Sequence, residues 1–450
     1  MTRSTNSGGA FLAVFVLLAL AVGYGVFEGY SDRRSAAWPE VTPEIAEAEV
    51  YRDVLYGRIA TVDGATYAGR LRFGGDQEAF WGDTFIGFKR GNPWRAHVAP
   101  ERLKERRPIE ILGIQIGTRE RNVDLGRPFM MRFGDIARVE ARGRDVLVTL
   151  KSGTEFVLDR YEAGDFDDGV RVWDGEGGVV DLESSRIHSI EFLDSGRPDA
   201  APDRMYGTVR TRQGDFTGFL QWNREKCVGS DQLEGRTADG RLSLRFETLR
   251  SIVRRSGDGA VVTLLDGREI LLSGDRQSGQ GNRGIHVDDR RFGRVLVSYD
   301  AFERVDFRQG APAEIGPAYQ DFPPGRPLTG GVRTRDGQRL LGRLVFDLDE
   351  SEMTESLDGA SRGVQYNIPF GMIASIAPAG PEGSGRERAE VTLHGGEKLE
   401  LERTGDLGGR NAGMLVFVDG HEHPEYVPWP EVEQVELDRP PAMVPPLRRR

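Results

Sequence analysis

The sequence predicts an all-β protein in which three tandem antiparallel β-barrel or β-sandwich repeats follow one N-terminal transmembrane helix. Two observations predict the repeats: apolar residues alternate with a period of two, and three sequence landmarks recur three times in register. An uncharged apolar segment near the N-terminus predicts the helix. Glycine supplies 59 of the 450 residues, which fits many tight turns between short strands.

Short strands are indicated by apolar residues at every second position, as in the runs 146–150 and 295–299. Asp-Gly pairs lie between such runs, at Asp63-Gly64, Asp266-Gly267 and Asp336-Gly337. This dipeptide supplies the positive φ that hairpin turns require. Because little of the chain has helical periodicity, we expect antiparallel all-β domains.

Three landmarks define the repeats. The first is a Thr-x-x-Gly turn followed by Gly-x-Leu-x-aromatic, the second is an aromatic-led period of three, and the third is V-T-L-x-x-G. They occur at 59–73, 209–222 and 332–346, at 133–139, 246–252 and 370–376, and at 148–153, 262–267 and 391–396. The third landmark precedes the end of its repeat (Phe192, Phe307 or Leu437) by 44, 45 and 46 positions, so the landmarks stay in register.

The landmarks place repeat 1 at 55–194, repeat 2 at 205–308 and repeat 3 at 328–438. The linkers 195–204 and 309–327 are rich in Pro, Gly and Ala, so we expect exposed connectors. Residues 28–54 are expected to form a juxtamembrane linker with a short helix. The Pro-rich, basic tail 439–450 is expected to be disordered.

Repeat 1 contains an insert, 88–128, with ten Lys or Arg residues against five acidic ones. Residues 99–107 are predicted to form a short helix that stops near Pro108. The excess positive charge suits anionic lipid headgroups or an acidic partner. Because acids alternate with the bases, a solvated mixed-charge segment is an equal alternative.

The recurring order of a hairpin, a glycine and a short F-x-x-I-x-x-I segment resembles the small barrels of the SH3/Sm-like superfold. The resemblance can apply twice within each repeat, and it covers most of residues 55–438. It implies an architecture and no particular ligand. An immunoglobulin-like sandwich is the alternative, but its Cys…Trp…Cys pattern is missing and the strands are short.

The segment 8–27 carries no charge and, as a helix, would be about 30 Å long, enough to span a bilayer core. Ala19-Leu20-Ala21 is also a possible signal-peptidase site, but apolar residues continue beyond it, so we prefer an uncleaved anchor. The predicted membrane-spanning residues are Phe11, Leu12, Val14, Phe15, Val16, Leu17, Leu18, Leu20 and Val22.

We expect a single-pass protein of the inner membrane with the bulk of the chain on the periplasmic side. Basic residues on the two sides of the span are nearly balanced, so this orientation rests on the long domain that follows a single N-terminal span. The net charge of −11 argues against general nucleic-acid binding. The single cysteine, Cys227, excludes an intrachain disulfide framework.

Acidic residues recur at equivalent places in the three repeats: Asp83, Asp231 and Glu355 each precede a landmark glycine by four positions. A repeated carboxylate can bind a repeated basic ligand, and these three residues are the candidate binding residues. It can equally accept backbone N–H groups within a turn, and we prefer that interpretation.

No metal or cofactor is expected. His421 and His423 alternate along the chain beside acidic residues, but a third ligand is missing, so a polar hairpin tip is the preferred interpretation. The acidic run Asp347-x-Asp349-Glu350 resembles part of a calcium loop without its terminal glutamate, and we expect a solvated turn there.

These features favour a membrane-anchored envelope protein that uses its repeated β modules for binding or scaffolding, because several weak contacts on one tether gain avidity. Its partners are expected to be the bilayer and another envelope protein or polymer. The alternative is a hydrolase of envelope polymers with carboxylate catalysis. A second alternative, an Sm-like nucleic-acid binder, conflicts with the acidic composition.

Overall fold

The computed structural model describes residues 54–74, 77–111, 114–122, 126–175, 177–194, 204–255, 259–273, 277–308, 317–379, 388–402 and 404–439. Within these residues the chain is all-β with several antiparallel sheets, which confirms the predicted fold class at that level. No helix in this part is long and apolar enough to cross a bilayer. The predicted span 8–27, the juxtamembrane helix and the tail beyond residue 439 lie outside the described residues.

The strands fall into three groups along the chain. Repeat 1 contains β1 (Tyr56–Thr61), β2 (Thr66–Phe73), β3 (Thr84–Phe88), β4 (Lys104–Ile111), β5 (Ile114–Asn122), β6 (Pro128–Arg132), β7 (Ile136–Arg142), β8 (Asp145–Leu150), β9 (Glu155–Asp159), β10 (Val170–Asp174), β11 (Gly178–Leu182) and β12 (Ile187–Phe192). Repeat 2 contains β13 (Tyr206–Thr211), β14 (Gly214–Trp222), β15 (Gln232–Thr237), β16 (Gly240–Arg245), β17 (Leu249–Arg254), β18 (Gly259–Leu264), β19 (Glu269–Ser273), β20 (Ile285–Asp289), β21 (Gly293–Val297) and β22 (Phe302–Phe307).

Repeat 3 contains β23 (Thr329–Thr334), β24 (Arg339–Val345), β25 (Ser356–Ser361), β26 (Val364–Pro369), β27 (Ile373–Ala379), β28 (Arg388–Leu393), β29 (Lys398–Glu402), β30 (Met414–Val418), β31 (Glu425–Val427) and β32 (Val432–Leu437). One α-helical turn spans Gly164–Asp167. Short 3-10 helices span Pro93–His97, Pro100–Leu103, Phe133–Asp135, Ser184–Arg186, Phe246–Thr248, Tyr319–Asp321, Phe370–Met372, Gly405–Leu407 and Trp429–Glu431.

The three groups share one pairing scheme. In repeat 2 the sheet order is β16-β15-β19-β18-β17-β22-β13-β14-β20-β21. Repeats 1 and 3 contain eight strands in the corresponding order, β9-β8-β7-β12-β1-β2-β10-β11 and β29-β28-β27-β32-β23-β24-β30-β31. Of the remaining strands of repeat 1, β3 pairs with β6 and β4 pairs with β5, each pair forming a sheet of its own. The remaining hairpin of repeat 3, β25–β26, joins the sheet of repeat 2 through the pairing of β26 with β21.

Each repeat consists of two five-strand segments that exchange strands. In repeat 2, β13 and β14 pair with β22 and β20, which come from the second half of the repeat. In return, β18 and β19 pair with β17 and β15 from the first half. The two sets meet at β17 and β22, where Ile252 lies opposite Val305. The corresponding pairs, Val139 with Ile190 and Ile376 with Val435, join the halves of the other repeats.

The aromatic-led period of three is a 3-10 helix followed by a bulged strand. Phe133 starts the helix Phe133–Asp135, and residues i and i+3 of a 3-10 helix share a face. β7 then contains an extra residue between Ile136 and Arg138 in its register with β8. A bulge keeps Ile136 and Val139 on one face, whereas a regular strand would point them to opposite faces. All three side chains are fully buried.

The insert forms a hairpin, so the helix predicted over 99–107 is wrong. A 3-10 helix ends at Leu103, and β4 begins at the next residue. β4 pairs with β5 over its whole length, with Glu105 opposite Arg121 and Pro108 opposite Thr118. Pairing with β5 satisfies the backbone groups that the predicted helix would have used internally.

The end of the second linker packs against repeat 1, so the expectation of an exposed connector is wrong for residues 317–322. The Tyr319 hydroxyl donates to the Ile136 carbonyl at 2.9 Å. The Lys151 ammonium donates to the Tyr319 and Phe322 carbonyls and lies 3.5 Å from the centre of the Tyr319 ring. Burial lowers the pKa of Lys151 to about 8. We call residues 317–322 the strap.

Candidate functional site

The three candidate carboxylates occupy the same local structure. Asp83, Asp231 and Glu355 each use one carboxylate oxygen to accept two backbone N–H groups from the preceding turn. The donors are Glu78 and Ala79, Cys227 and Val228, and Ser351 and Glu352, at 2.7 to 3.1 Å. Such carboxylate turns are a common way to satisfy backbone donors.

The same residues also position the aromatic side chain that begins each 3-10 helix. The carbonyls of Asp83, Asp231 and Glu355 accept the N–H groups of Phe133, Phe246 and Phe370, respectively. In repeat 1, for example, Asp83 connects the turn before β3 to the 3-10 helix Phe133–Asp135, which follows β6. The two backbone N–H groups of the turn explain why a carboxylate recurs at this place, whereas any residue would supply the main-chain carbonyl.

Two of the remaining carboxylate oxygens pair with a basic residue of another repeat. Asp83 Oδ1 accepts from Arg294 of repeat 2 at 2.6 Å. Glu355 Oε1 accepts from Lys89 of repeat 1 at 2.5 Å. Asp83 and Glu355 are each only 3% exposed, so both ion pairs lie in the protein interior.

The third carboxylate, Asp231, faces repeat 1. Burial lowers the pKa of Arg72 of repeat 1, and the nearby charge of Asp231 opposes that shift. The basic partners of Asp83 and Glu355 thus belong to this chain. Binding of an external basic ligand by Asp83, Asp231 and Glu355 stays a prediction.

Lys89 and Arg127, from the two ends of the insert, form buried ion pairs between repeats 1 and 3, beside an apolar cluster that joins the same repeats. The Lys89 ammonium lies 2.7 Å from Asp349 Oδ1, and Arg127 Nε donates to the same oxygen at 2.8 Å. Burial alone would lower the pKa of Lys89, but the charges of Glu355 and Asp349 outweigh it and raise that pKa. The insert therefore supplies cations to an acidic region of repeat 3.

The acidic run at 347–350 is largely buried, so the expectation of a solvated turn is wrong. Asp349 and Glu350 are 4% and 6% exposed. Burial raises the pKa of Glu350 well above its usual range, and the charge of Asp349 adds to the rise. Burial likewise raises the pKa of Asp347 to about 8. Among the described residues, no group of three or more His, Cys, Asp or Glu side chains is arranged to hold a metal ion.

Asp406 and Asp358 form a carboxyl pair whose role is clarified by repeat 2. Asp406 Oδ2 accepts the backbone N–H of Asp358 at 2.6 Å. In repeat 2, Gln277 Oε1 accepts the N–H of Glu234, the matching strand position, at 3.0 Å. Burial raises the pKa of Asp406 well above its usual range and that of Asp358 to about 7. A neutral Asp406 therefore resembles the glutamine of repeat 2.

Repeat 1 contacts repeat 2 through Arg294, which also donates to Gln221 Oε1 at 2.6 Å and to the Gly82 carbonyl. Gly82 has φ of +97°, and a Cβ at this position would lie 1.9 Å from the Asp288 carboxylate. Only glycine fits here, because the backbone is left-handed and the neighbouring carboxylate is too close. Burial raises the pKa of Asp288 to about 6.

The remaining candidates lie apart from these contacts. His421 and His423 are exposed in the connection between β30 and β31, and His421 Nδ1 lies 3.3 Å from Glu425 Oε1. Cys227 is buried, and burial raises the pKa of its thiol to about 12, so the thiol stays protonated near neutral pH.

Sequence reasoning located the carboxylates but missed their basic partners. Lys89 and Arg127 were visible only as part of the excess charge of the insert, and Arg294 carried no signal. The pairs Arg294–Asp83 and Lys89–Glu355 join residues 211 and 266 positions apart, which spacing within one repeat cannot reveal. No protein-family model, no curated protein and no solved structure matches this chain.

Proposed function

We propose that this chain is a membrane-anchored, envelope-exposed protein without enzymatic activity, whose repeated β modules serve as a scaffold or binding array. Segment 8–27 anchors it in the inner membrane, and the repeats lie on the periplasmic side. Its partners are the bilayer and another envelope protein or polymer.

The observation that supports a scaffold is that the repeats hold one another through buried ion pairs. Arg294 pairs with Asp83 between repeats 2 and 1, and Lys89 pairs with Glu355 between repeats 1 and 3. Between repeats 2 and 3, β21 pairs with β26 as neighbouring strands. Because breaking a buried ion pair leaves an uncompensated charge, these contacts favour one fixed arrangement of the repeats.

We also propose that each repeat is a pair of SH3/Sm-like small barrels. This is supported by the division of each repeat into two five-strand sets of the same connectivity. Closure is supported by single bridges between strand pairs that are otherwise separate. Arg236 of β15 pairs with Ser273 of β19, and Lys89, just after β3, pairs with Leu158 of β9.

The alternative, a hydrolase of envelope polymers, has one observation in its favour. Asp358 and Asp406 are adjacent carboxyl groups with raised pKa, which is a property of general acids in glycosidases. Gln277 makes the same hydrogen bond in repeat 2, however, so the position has a structural role without an ionisable group. The scaffold is the better supported function.

The test of the anchor compares the full chain with a variant that lacks residues 8–27. We expect the full chain to remain in the membrane fraction after a carbonate wash and the variant to be released. A reporter that is active only outside the cytoplasm, fused after Arg450, should be active. Release of the full chain, or an inactive reporter on a stable fusion, would contradict the proposal.

The test against the hydrolase uses purified envelope polymer as the substrate. The full chain, Asp358→Asn and Asp406→Asn should all release no soluble fragments from the polymer. The full chain should sediment together with the polymer if the polymer is its partner. Release of fragments by the full chain, abolished in either variant, would establish the hydrolase and overturn the scaffold.

A further inference from the structure

Repeat 2 contains a cleft apart from the contacts between repeats described above. Its volume is about 460 Å³, within the range of small-molecule sites. It opens where β13 and β17 end beside β22. The side chains that define its chemistry are Arg212, Arg254, Arg255, Gln280, Tyr299 and Glu303.

The cleft is lined by more basic than acidic side chains, in a chain whose net charge is −11. Three arginines line it against a single glutamate. Arg212 lies 3.3 Å from Glu303, and these side chains are 87% and 49% exposed. Ion pairs as exposed as this contribute little, so an anion in the cleft can replace them at low cost. A local excess of arginine also attracts anions over a distance.

Arg254 lies beside an aromatic ring that the protein holds in place. Tyr299 is 5% exposed, and its hydroxyl donates to the Ser278 carbonyl at 2.9 Å, which holds the ring in place. The Arg254 guanidinium carbon lies 6.0 Å from the centre of that ring, and Nη1 lies 3.5 Å from the exposed Asp300 carboxylate. The ring gives the cleft an apolar wall beside its charges.

The arginine set is particular to repeat 2. The positions that match Arg212, Arg254 and Arg255 in register are Val62, Ala141 and Arg142 in repeat 1. In repeat 3 they are Arg335, Pro378 and Ala379. Each of the other repeats therefore keeps one arginine of the three. The shared fold does not require these side chains, because two copies of the same fold lack the set.

We propose that this cleft binds the phosphate group of a small phosphorylated ligand, either a soluble phosphate ester or the headgroup of an anionic phospholipid. A phosphate offers three or more oxygens to three guanidinium groups, whereas a carboxylate offers two. Tyr299, whose ring is almost fully buried, lies beside the Arg254 guanidinium at the wall of the site. This site is independent of the scaffold role proposed above.

The test uses the full chain in neutral detergent micelles and isothermal titration calorimetry. The probes are inorganic phosphate, glycerol 3-phosphate, and micelles that contain phosphatidic acid, with phosphatidylcholine micelles as the blank. Arg254→Gln/Arg255→Gln should weaken binding about tenfold or more, because charge-assisted hydrogen bonds are lost. Arg241→Gln, an exposed arginine of β16 in the same repeat, is the matched control and should bind as the unaltered chain does.

Binding of glycerol 3-phosphate without phosphatidic acid would identify a soluble ester, and the reverse would identify a lipid headgroup. Both outcomes support the site if the paired variant loses the binding. Saturable binding by none of the probes would overturn it. Equal losses in the paired variant and in Arg241→Gln would also overturn it, since they would indicate nonspecific charge attraction.

Discussion

At the scale of single residues, the recurring carboxylate joins local structure to long-range packing. Asp83 and Glu355 each accept backbone N–H groups of their own turn with one carboxylate oxygen. The other oxygen pairs with a cation of another repeat. The turn could be predicted, because the donor groups lie within five positions in sequence. The cation could not, because its position depends on how separate repeats pack.

Replacing Lys89 by Met should destabilise the protein by about 3–5 kcal/mol, because Asp349 and Glu355 would lose a buried cation. Urea unfolding of the full chain measures this change. Arg90→Met is the control: Arg90 pairs with Asp145 and Asp159 but is 41% exposed, so its loss should cost less than about 1 kcal/mol. Equal effects of the two substitutions would show that the buried network does not hold the repeats.

The raised pKa of Asp347 predicts that this residue makes the protein less stable as pH rises. Burial raises its folded-state pKa to about 8, so folding favours the protonated form. The stabilisation from this group is complete below its unfolded pKa of about 4 and is lost as pH rises towards 8. The free energy of unfolding of Asp347→Asn should therefore fall less over this range than that of the unaltered chain. Parallel profiles from urea unfolding at several pH values would contradict the assignment.

At the scale of elements, the aromatic-led period of three corresponds to a 3-10 helix joined to a bulged strand. The pattern was correct about burial: Phe246, Leu249 and Ile252 all lie in the core. Its period fits neither a regular strand nor an α-helix, and that mismatch was the available signal for a bulge.

The expected division of a repeat into two similar halves also has a signature in the spacing of the sequence. In repeat 2 the turn glycine precedes the aromatic residue by 32 positions in both halves, from Gly214 to Phe246 and from Gly267 to Tyr299. In repeat 3 both intervals are 33 positions, from Gly337 to Phe370 and from Gly396 to Trp429. These equal intervals predict a twofold unit within repeats 2 and 3.

The strap supplies a test at this scale. A Cβ on Gly134 would lie 2.4 Å from the Phe322 ring, so Gly134→Ala should displace the strap from repeat 1. Hydrogen exchange should then rise in residues 317–322 while the sheet of repeat 1 keeps its protection. Gly164→Ala, which adds a Cβ with no atom within 4 Å, is the control. Unchanged exchange in the strap of Gly134→Ala would show that this contact does not hold it.

At the scale of the whole molecule, the all-β class was predictable and the exchange of strands was not. Alternation and turn chemistry indicate each strand from its own residues. The choice of β20 rather than β15 as the partner of β14 depends on packing between halves that carry similar patterns. The same limit applies to the pairing of β21 with β26, which joins repeats 2 and 3.

The central claim is that the three repeats form one body, in which buried ion pairs hold repeat 1 to repeats 2 and 3 while the pairing of β21 with β26 joins repeats 2 and 3. Distance measurement between spin labels at Val62→Cys in repeat 1 and Leu341→Cys in repeat 3 tests it, because these positions are 67% and 55% exposed while the native Cys227 is buried. We predict one narrow distance distribution that broadens when Lys89→Met is added. A distribution that is already broad without Lys89→Met would contradict the claim.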